Sequence, residues 1–164
     1  MLKTAGTASG RVAGARLPLI DGVEKVTGRA KYTADLISSD TLTGRIFRSP
    51  YSHGEILELD VSKAAALPGV IAVVTSDDAP IPFGMLPISE NEYLLAKDKV
   101  RFKGDAVAAV AAINDQVATE AIGLIELKVK ELPAYFDVEA ARAPDAVDIH
   151  EDRPGNLERE VHWD

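Results

Sequence analysis

Three histidines are the residues of this sequence best suited to acid–base or metal chemistry. They are His53, His150 and His162, and their separations match no i, i+4 or similar ligand spacing, which argues against a metal site built from them. His53 stands close to Tyr51 in a loop, where an imidazole that titrates near neutrality could act as a general base. Because no nucleophile or orienting residue stands beside it, a loop histidine bonded to local backbone is favoured over an independent hydrolase.

Paired carboxylates are the second candidate for acid–base chemistry. Asp77-Asp78 and the pair Glu90 and Glu92 belong to a proline-rich loop, residues 77–92. Side chains adjacent in sequence rarely converge, so these pairs are better interpreted as solvated loop charges. The sequence also has no Ser/His/Asp signature, no Gly-rich dinucleotide fingerprint and no phosphate-loop ending. We therefore predict no catalytic, cofactor-binding or metal-binding residue in this segment.

A run of basic residues at alternate positions is the clearest charge pattern in the chain. Val100 and Phe102 interleave with these residues, which is the period-2 pattern of a half-buried strand with a basic outer face. Such a face either steers an acidic partner surface onto the strand or is charged for solubility alone. The basic residues are Lys97, Lys99, Arg101 and Lys103.

The basic run leads into the stretch that organises the fold, residues 100–133. All residues from Ala106 to Ile113 are apolar, which suits a strand buried on both faces. Asp115 can cap a helix, and period 2 returns at Leu127 and Val129 before a proline. Strand, helix and strand at this spacing predict a right-handed βαβ crossover with parallel strands. The apolar face of the helix would consist of Val117, Ala118, Ala121, Ile122 and Ile125.

Similar patterns predict further elements before this stretch. A strand is expected over Thr41 to Ser49 and another over Ile56 to Val61, followed by a short helix that Ser62 caps and a buried strand from Val70 to Thr75. The fold class is therefore α/β or α+β, with a mixed sheet, βαβ units and helices packed on the sheet. In the first strand the predicted core-facing residues are Leu42, Ile46 and Phe47.

Composition limits the class of protein. The chain has 164 residues, 46% of them hydrophobic and 27% charged, which suits one globular domain. It has no cysteine, so this segment cannot house an iron–sulfur cluster, a Cys-ligated zinc or a disulfide. No apolar run approaches about 18 residues and no signal-peptide pattern precedes the fold, so we expect a cytoplasmic protein that does not enter a membrane.

Charge is distributed unevenly along the chain. Residues 1–36 hold six basic and three acidic residues, net +3, whereas the remainder has a net charge of −11. A body this acidic argues against nucleic-acid binding through phosphate neutralisation. Residues 1–16 are small, polar and rich in glycine, and we predict that they form a flexible basic arm.

Four short motifs, taken together, carry a family resemblance. Their order and approximate spacing resemble those of the amino-terminal α/β-hammerhead domain of the xanthine dehydrogenase and aldehyde oxidase family of molybdenum hydroxylases, over roughly residues 17–145. The motifs are Arg48-Ser49-Pro50-Tyr51-Ser52-His53, Leu67-Pro68-Gly69-Val70, Gly104-Asp105 and Glu131-Leu132-Pro133.

The resemblance implies a division of the chain and a function. Residues 17–145 would be the hammerhead domain, residues 146–164 a linker toward a molybdopterin-binding domain that this chain lacks, and residues 1–16 the arm. Enzymes of this family hydroxylate an aromatic heterocycle or an aldehyde with oxygen from water. Electrons pass from the molybdopterin cofactor through two [2Fe–2S] clusters, usually to FAD. No cofactor and no catalytic residue is carried over to this segment, which would be inactive by itself.

The resemblance also implies partners. They are the remainder of the molybdopterin-binding subunit and the iron–sulfur and FAD subunits or domains, and the expected contact elements are the basic arm at residues 1–31 and the loop at 77–92. A family large subunit is several times longer than this chain, which would make the chain a fragment or a split subunit. The alternative is a free-standing interaction or small-ligand-binding module with the same fold.

Overall fold

The structure, a computed structural model, describes residues 17–84 and 90–163 and divides the chain into two compact units, residues 1–39 and 40–164. In the described part of the first unit, α1 (Gly22–Val26) is followed by a 3-10 helix (Thr33–Leu36), and neither has a buried residue. The predicted arm, residues 1–16, lies outside the described residues.

The second unit contains two antiparallel sheets of three strands each. We call the sheet with strand order β1-β5-β3 the alanine sheet and the sheet with order β4-β2-β6 the ion-pair sheet. The strands are β1 (Thr43–Arg48), β2 (Gly54–Asp60), β3 (Val70–Val74), β4 (Lys99–Val100), β5 (Ala106–Ala112) and β6 (Glu126–Glu131). The helices are α2 (Ser62–Ala65), α3 (Asp115–Gly123) and α4 (Val138–Ala141), and a 3-10 helix spans Pro154–Asn156.

The predicted strand, helix and strand are present as β5, α3 and β6, but the predicted parallel pairing is wrong. β5 is the central strand of the alanine sheet, whereas β6 pairs antiparallel with β2 in the ion-pair sheet. The other strand, helix and strand unit also connects the two sheets, because β2 belongs to the ion-pair sheet and β3, after α2, belongs to the alanine sheet. Each helix therefore connects two sheets, and alternation of strand and helix along a sequence does not distinguish this arrangement from a crossover within one sheet.

The first core cluster lies on one face of the alanine sheet. Ala108 and Val110 of β5 pack with Ala64 of α2 and with Ala121 of α3 and the following Ile125. The cap of α3 differs from the prediction by one residue, because the Asn114 side chain accepts from the Val117 N–H at 2.9 Å.

Asp115, the predicted cap, instead pairs with a strand of the alanine sheet. Its carboxylate lies 2.6 Å from the guanidinium of Arg45 in β1. The pair ties the start of α3 to the alanine sheet.

A second core cluster links the alanine sheet to the ion-pair sheet. It consists of Ala96, Val100 and Val107, with side chains of β2 and β6 packed against it. Val100 and Val107 are the largest side chains that are fully buried among the described residues. Substitution of either by alanine would therefore leave a cavity where the two sheets meet.

Burial of β1 and β5 differs from the prediction. Phe47 packs against both core clusters as expected, but Ile46 is 47% exposed. In β5, Ala109 and Ala111 are only partly buried, so this strand is not covered on both faces along its length. The apolar run correctly indicated a central strand, but it did not show that Ala109 and Ala111 are less buried than the core residues on the other face.

Candidate functional site

His53 is a buried histidine with one side of its ring bonded to backbone. The residue is 3% exposed, and its Nδ1 lies 2.6 Å from the carbonyl oxygen of Pro133. A carbonyl can only accept, so Nδ1 carries the proton and Nε2 of the neutral ring is an acceptor. Within the described residues Nε2 is buried and has no hydrogen-bond partner. The favoured interpretation, a loop histidine bonded to local backbone, is therefore wrong about the partner, because the bonded carbonyl belongs to Pro133, a residue distant in sequence.

A small pocket lies beside His53, and we call it the His53 pocket. Its volume is about 160 Å³, and its walls include Phe102, Tyr135, Phe136 and Ile149. Phe102 is 58% exposed and Phe136 is 87% exposed. The exposure of Phe102 contradicts the predicted strand pattern, in which this ring would face the core and the lysines would face outward.

Lys99 shows the same inversion of the predicted pattern. It is 8% exposed, and its ammonium group lies 3.1 Å from a carboxylate oxygen of Glu151. Arg101 donates from Nε to the backbone oxygen of Ile149 at 3.3 Å. We call residues 148–152 the acidic segment. One of the two interpretations of these basic residues was that they steer an acidic surface onto the strand, and in the structure a segment of the same chain contacts Lys99 and Arg101.

The acidic segment also affects the charge states of its own residues. The hydrogen bond from Lys99, followed by the charges of Lys99 and Arg101, lowers the pKa of Glu151. Burial lowers the pKa of His150, and the charge of Arg101 acts in the same direction. The lowered pKa of Glu151 favours its ionised form, and the lowered pKa of His150 favours its neutral form. These are the charge states in which the acidic segment stays bound to the basic strand at neutral pH.

A larger cleft of about 430 Å³ lies on another side of Arg101 and Phe102. Its walls include Arg48, Asp105 and His150, and burial raises the pKa of the Asp105 carboxyl. Asp105 accepts from the Arg101 backbone N–H at 3.0 Å. The polar groups of this cleft thus hold the 101–105 turn as well as facing the cavity.

Both predicted carboxylate pairs include a residue that takes part in local backbone structure. Asp78 accepts from the Thr75 N–H at 2.8 Å and closes a turn, while Asp77 is exposed. Glu92 forms an isolated bridge with Phe83 through backbone hydrogen bonds of 2.8 and 3.0 Å. In residues 17–84 and 90–163, no three His, Asp or Glu side chains are grouped so that they could hold a metal ion.

The outer face of the alanine sheet is apolar and at least partly exposed. Ala109 of β5 stands between Ile46 of β1 and Val74 of β3 in the register, and Ala111 stands in the same way between Gly44 and Ala72. None of these six residues is buried. We call this surface the alanine face. It was not predicted from the sequence, although the alanine-rich composition of β5, unusual for a strand, was a signal of a closely approached surface.

The outer face of the ion-pair sheet is charged. Lys128 of β6 lies 2.6 Å from Glu58 of β2, and Lys130 lies 3.0 Å from Glu55. A further pair joins Lys63 of α2 to Glu126 of β6. We call this surface the charged face. Its side chains are about half exposed or more, which is typical of a surface in contact with water.

The helices of the second unit are short. The longest described helix, α3, has nine residues. In the parts of the chain that the structure describes, none of the helices combines the length and the hydropathy of a membrane span.

Comparisons with known proteins agree on one family. Residues 27–133 match the family described as aldehyde oxidase and xanthine dehydrogenase, a/b hammerhead domain. The chain is 42% identical over 139 residues to a probable xanthine dehydrogenase subunit of Bacillus subtilis, an alignment that covers 84% of this chain and 18% of the relative. It is 38% identical over 148 residues to the xanthine dehydrogenase molybdenum-binding subunit of Escherichia coli O157:H7, which covers 84% of this chain and 19% of the relative.

A solved structure shows the same fold. The aldehyde oxidoreductase of Desulfovibrio gigas superposes with a TM-score of 0.76 at 32% identity, over 90% of this chain and 18% of that one. The predicted α/β-hammerhead fold class is thereby confirmed. The chain spans about a fifth of the length of the relatives that it matches.

Proposed function

Because this chain belongs to the aldehyde oxidase and xanthine dehydrogenase family, as its α/β-hammerhead domain, we propose that it is a supporting domain of a molybdenum hydroxylase. The observation that carries the proposal is the match of residues 27–133 to the hammerhead domain alone, in relatives about five times as long. The complete enzyme would oxidise an aromatic heterocycle or an aldehyde in the cytoplasm. In this proposal residues 17–145 form the domain and residues 146–164 lead toward the molybdopterin-binding part.

The supporting role rests on the alanine face as the docking surface. Its six uncovered residues have no charged side chain, and most of them are small, so another backbone can approach closely. The occupant that we propose is the remainder of the same subunit, since the matched relatives extend well beyond the hammerhead domain. The basic arm and the loop at 77–92 are further contact elements in this proposal.

The cofactors would be bound outside this segment. An iron–sulfur cluster does not fit this chain, because its thiolate ligands require cysteines and the sequence has none. The proposal therefore assigns the molybdopterin cofactor to the remainder of the subunit, and the [2Fe–2S] clusters and FAD to other domains or subunits.

A domain transplant tests the supporting role. The segment of the Escherichia coli molybdenum-binding subunit that aligns with this chain is replaced by the corresponding residues of this chain. We expect the chimera to keep its molybdenum and its oxidation of xanthine, whereas deletion of the segment abolishes both. The chain alone is expected to bind no molybdenum and to turn over no substrate.

Two substitutions in the chimera test which face of the domain the assembly needs. Ala109→Asp places a charge at the centre of the alanine face and should lower the molybdenum content, while Lys130→Glu on the charged face should not. Deletion of residues 2–16 tests the arm in the same chimera. A chimera that folds but holds no more molybdenum and oxidises no more xanthine than the deletion variant would contradict the proposal.

A small-ligand-binding module is the second candidate function, and the cleft of about 430 Å³ favours it. Its volume lies in the range of small-molecule sites, and Arg48 and Arg101 on its walls would suit an anionic ligand. Screening the chain by thermal shift against a panel of carboxylates and phosphates would test this function. A hit that is lost in Arg48→Ala would support it.

A further inference from the structure

The unfilled acceptor on His53 points to a ligand chemistry. The bond between Nδ1 and the Pro133 carbonyl needs a proton on Nδ1, so in the neutral ring Nε2 presents a lone pair and no proton. This atom is buried and receives no hydrogen bond within the described residues. A buried acceptor without a donor is costly, so native structures supply the donor from protein, water or ligand.

The size and the walls of the His53 pocket limit what can supply that donor. The pocket holds about 160 Å³, and apolar cavities of about 150 Å³ accommodate benzene. Phe102, Phe136 and Ile149 make its walls largely apolar, which favours a ring over a cluster of water molecules. The two phenylalanine rings are mostly exposed, so a ring that enters the pocket would cover them.

The charges beside the pocket further restrict the ligands that it can bind. Arg101 and Lys103 contribute to its walls. They would repel a cationic ligand, and they are attracted to the face of an electron-rich ring. A carboxylate would suit the two cations, but it cannot donate a hydrogen bond to Nε2. An aromatic ring with a single N–H or O–H group meets both requirements.

We propose that the His53 pocket binds a tyrosine or tryptophan side chain from the polypeptide that covers this domain, with its O–H or N–H donated to His53 Nε2. The occupant rests on the proposed function, because the covering polypeptide is the remainder of the subunit. Aromatic side chains with one polar end are common anchors at protein interfaces. This anchor would fix the domain at a second place, separate from the alanine face.

The pocket is tested on the chain itself with p-cresol and 4-methylanisole, which differ only in that the second compound has no donor. Binding is followed through the imidazole nitrogen signals of His53 in ¹⁵N NMR spectra. We expect p-cresol to bind at millimolar concentration and to shift the Nε2 signal. The anisole should bind about fivefold more weakly, the factor that one ordinary hydrogen bond supplies, and should leave that signal in place.

Two exposed aromatic residues provide a matched pair of variants. Phe136→Ala removes a wall of the pocket and should weaken p-cresol binding several-fold, while Trp163→Ala, which removes a ring that is 92% exposed and does not line the pocket, should not change it. Equal affinity for both compounds, or no shift of the Nε2 signal with either, would overturn the proposal. The pocket would then be filled by water alone.

The transplant chimera distinguishes a failure of the pocket proposal from a failure of the proposed function. In a chimera that holds molybdenum, p-cresol should no longer shift the His53 signal, because the anchor side chain fills the pocket. If p-cresol still binds there, the pocket is a site for free phenols and the anchor is excluded. If the chimera fails to assemble while p-cresol binds the chain, the supporting role fails and the ligand chemistry of the pocket stands.

Discussion

The alanine sheet and the ion-pair sheet have the same number of strands and opposite outer surfaces. On the alanine sheet, Ile46, Ala109 and Val74 stand in one row across three strands without any charged neighbour in that row. On the ion-pair sheet, Lys130 and Glu55 form a cross-strand pair 3.0 Å apart. One sheet therefore has a surface suited to contact with protein and the other a surface suited to water.

This difference in surface chemistry would suit the two sheets to different roles. Charged cross-strand pairs add little stability when they are exposed, but they keep a sheet soluble and prevent edge-to-edge association. Small apolar side chains do neither, and they allow another surface to approach closely. In the proposed function the docking surface therefore lies on the sheet whose central strand is β5.

The largest expected effect comes from a pair of glycines, one in each sheet. A Cβ at Gly54 of β2 would lie 2.3 Å from a methyl carbon of Val129 and 2.7 Å from the Lys130 backbone oxygen. Gly54→Ala should therefore lower the free energy of unfolding by about 3 kcal/mol. A Cβ at Gly44 of β1 would have no atom of the described residues within 4 Å apart from its chain neighbours, so Gly44→Ala should be neutral or raise the free energy of unfolding by about 0.5 kcal/mol. Urea unfolding measures both, and similar losses would contradict the described packing.

The second prediction concerns association rather than folding. Ala109→Asp puts a charge at the centre of the alanine face, so the molybdenum content of the transplant chimera should fall at least about tenfold. The free energy of unfolding of the chain should change by less than about 1 kcal/mol, because the site is partly exposed. Lys130→Glu is the control on the charged face. Equal effects of the two substitutions on association would remove the distinction between the faces.

A third prediction compares two lysines of the ion-pair sheet. Lys99 is nearly buried and holds the acidic segment, whereas the Lys130 side chain is 60% exposed. Lys99→Ala should cost about 1–2 kcal/mol, a value limited by the exposure of its partner Glu151, and should speed amide exchange in residues 148–152. Lys130→Ala should cost less than about 0.5 kcal/mol. Unchanged exchange in Lys99→Ala would show that the acidic segment is held by other contacts.

The smallest effect is a pH dependence at the acidic segment. The pKa of His150 is lowered from 6.5 by burial and by Arg101, against the opposing charges of Asp152 and Glu158. The unfolded chain therefore binds the proton more tightly, and stability should decline as the pH falls from about 7 through 6.5 toward the lowered pKa. His150→Gln should reduce this slope, and His162→Gln controls for removal of an exposed histidine. A stability that rises over this interval in the unmodified chain would contradict the sign.

Sequence patterns identified the strands and helices well because each pattern reports on a local period. The apolar run from Ala106 located β5, and the Asn114–Asp115 region located the start of α3 to within one residue. Which strands become neighbours depends on contacts distant in sequence, so the parallel pairing of β5 and β6 was predicted wrongly. The arm at residues 1–16 and the domain limits stay predictions.

The candidate surfaces were harder to predict. The basic residues around Lys99 were identified, but their partner is a segment about 50 residues away in the same chain. His53 was interpreted as a histidine bonded to local backbone, but its partner is the carbonyl of Pro133, which is distant in sequence, and its unfilled Nε2 depends on how the pocket walls are placed. The alanine face follows from strand register, which the sequence alone does not give.

The alanine face, and not the charged face, is the surface that we propose to contact the remainder of the subunit. Methyl NMR of Ile46 and Val74 on the first face, with Leu57 of β2 in the ion-pair sheet as the reference, measures this directly when the labelled domain is compared alone and in the assembled chimera. We expect the methyl signals of Ile46 and Val74 to shift and become protected from a soluble paramagnetic probe, while those of Leu57 do not. Protection of Leu57 with Ile46 and Val74 unchanged would contradict this assignment of the two faces.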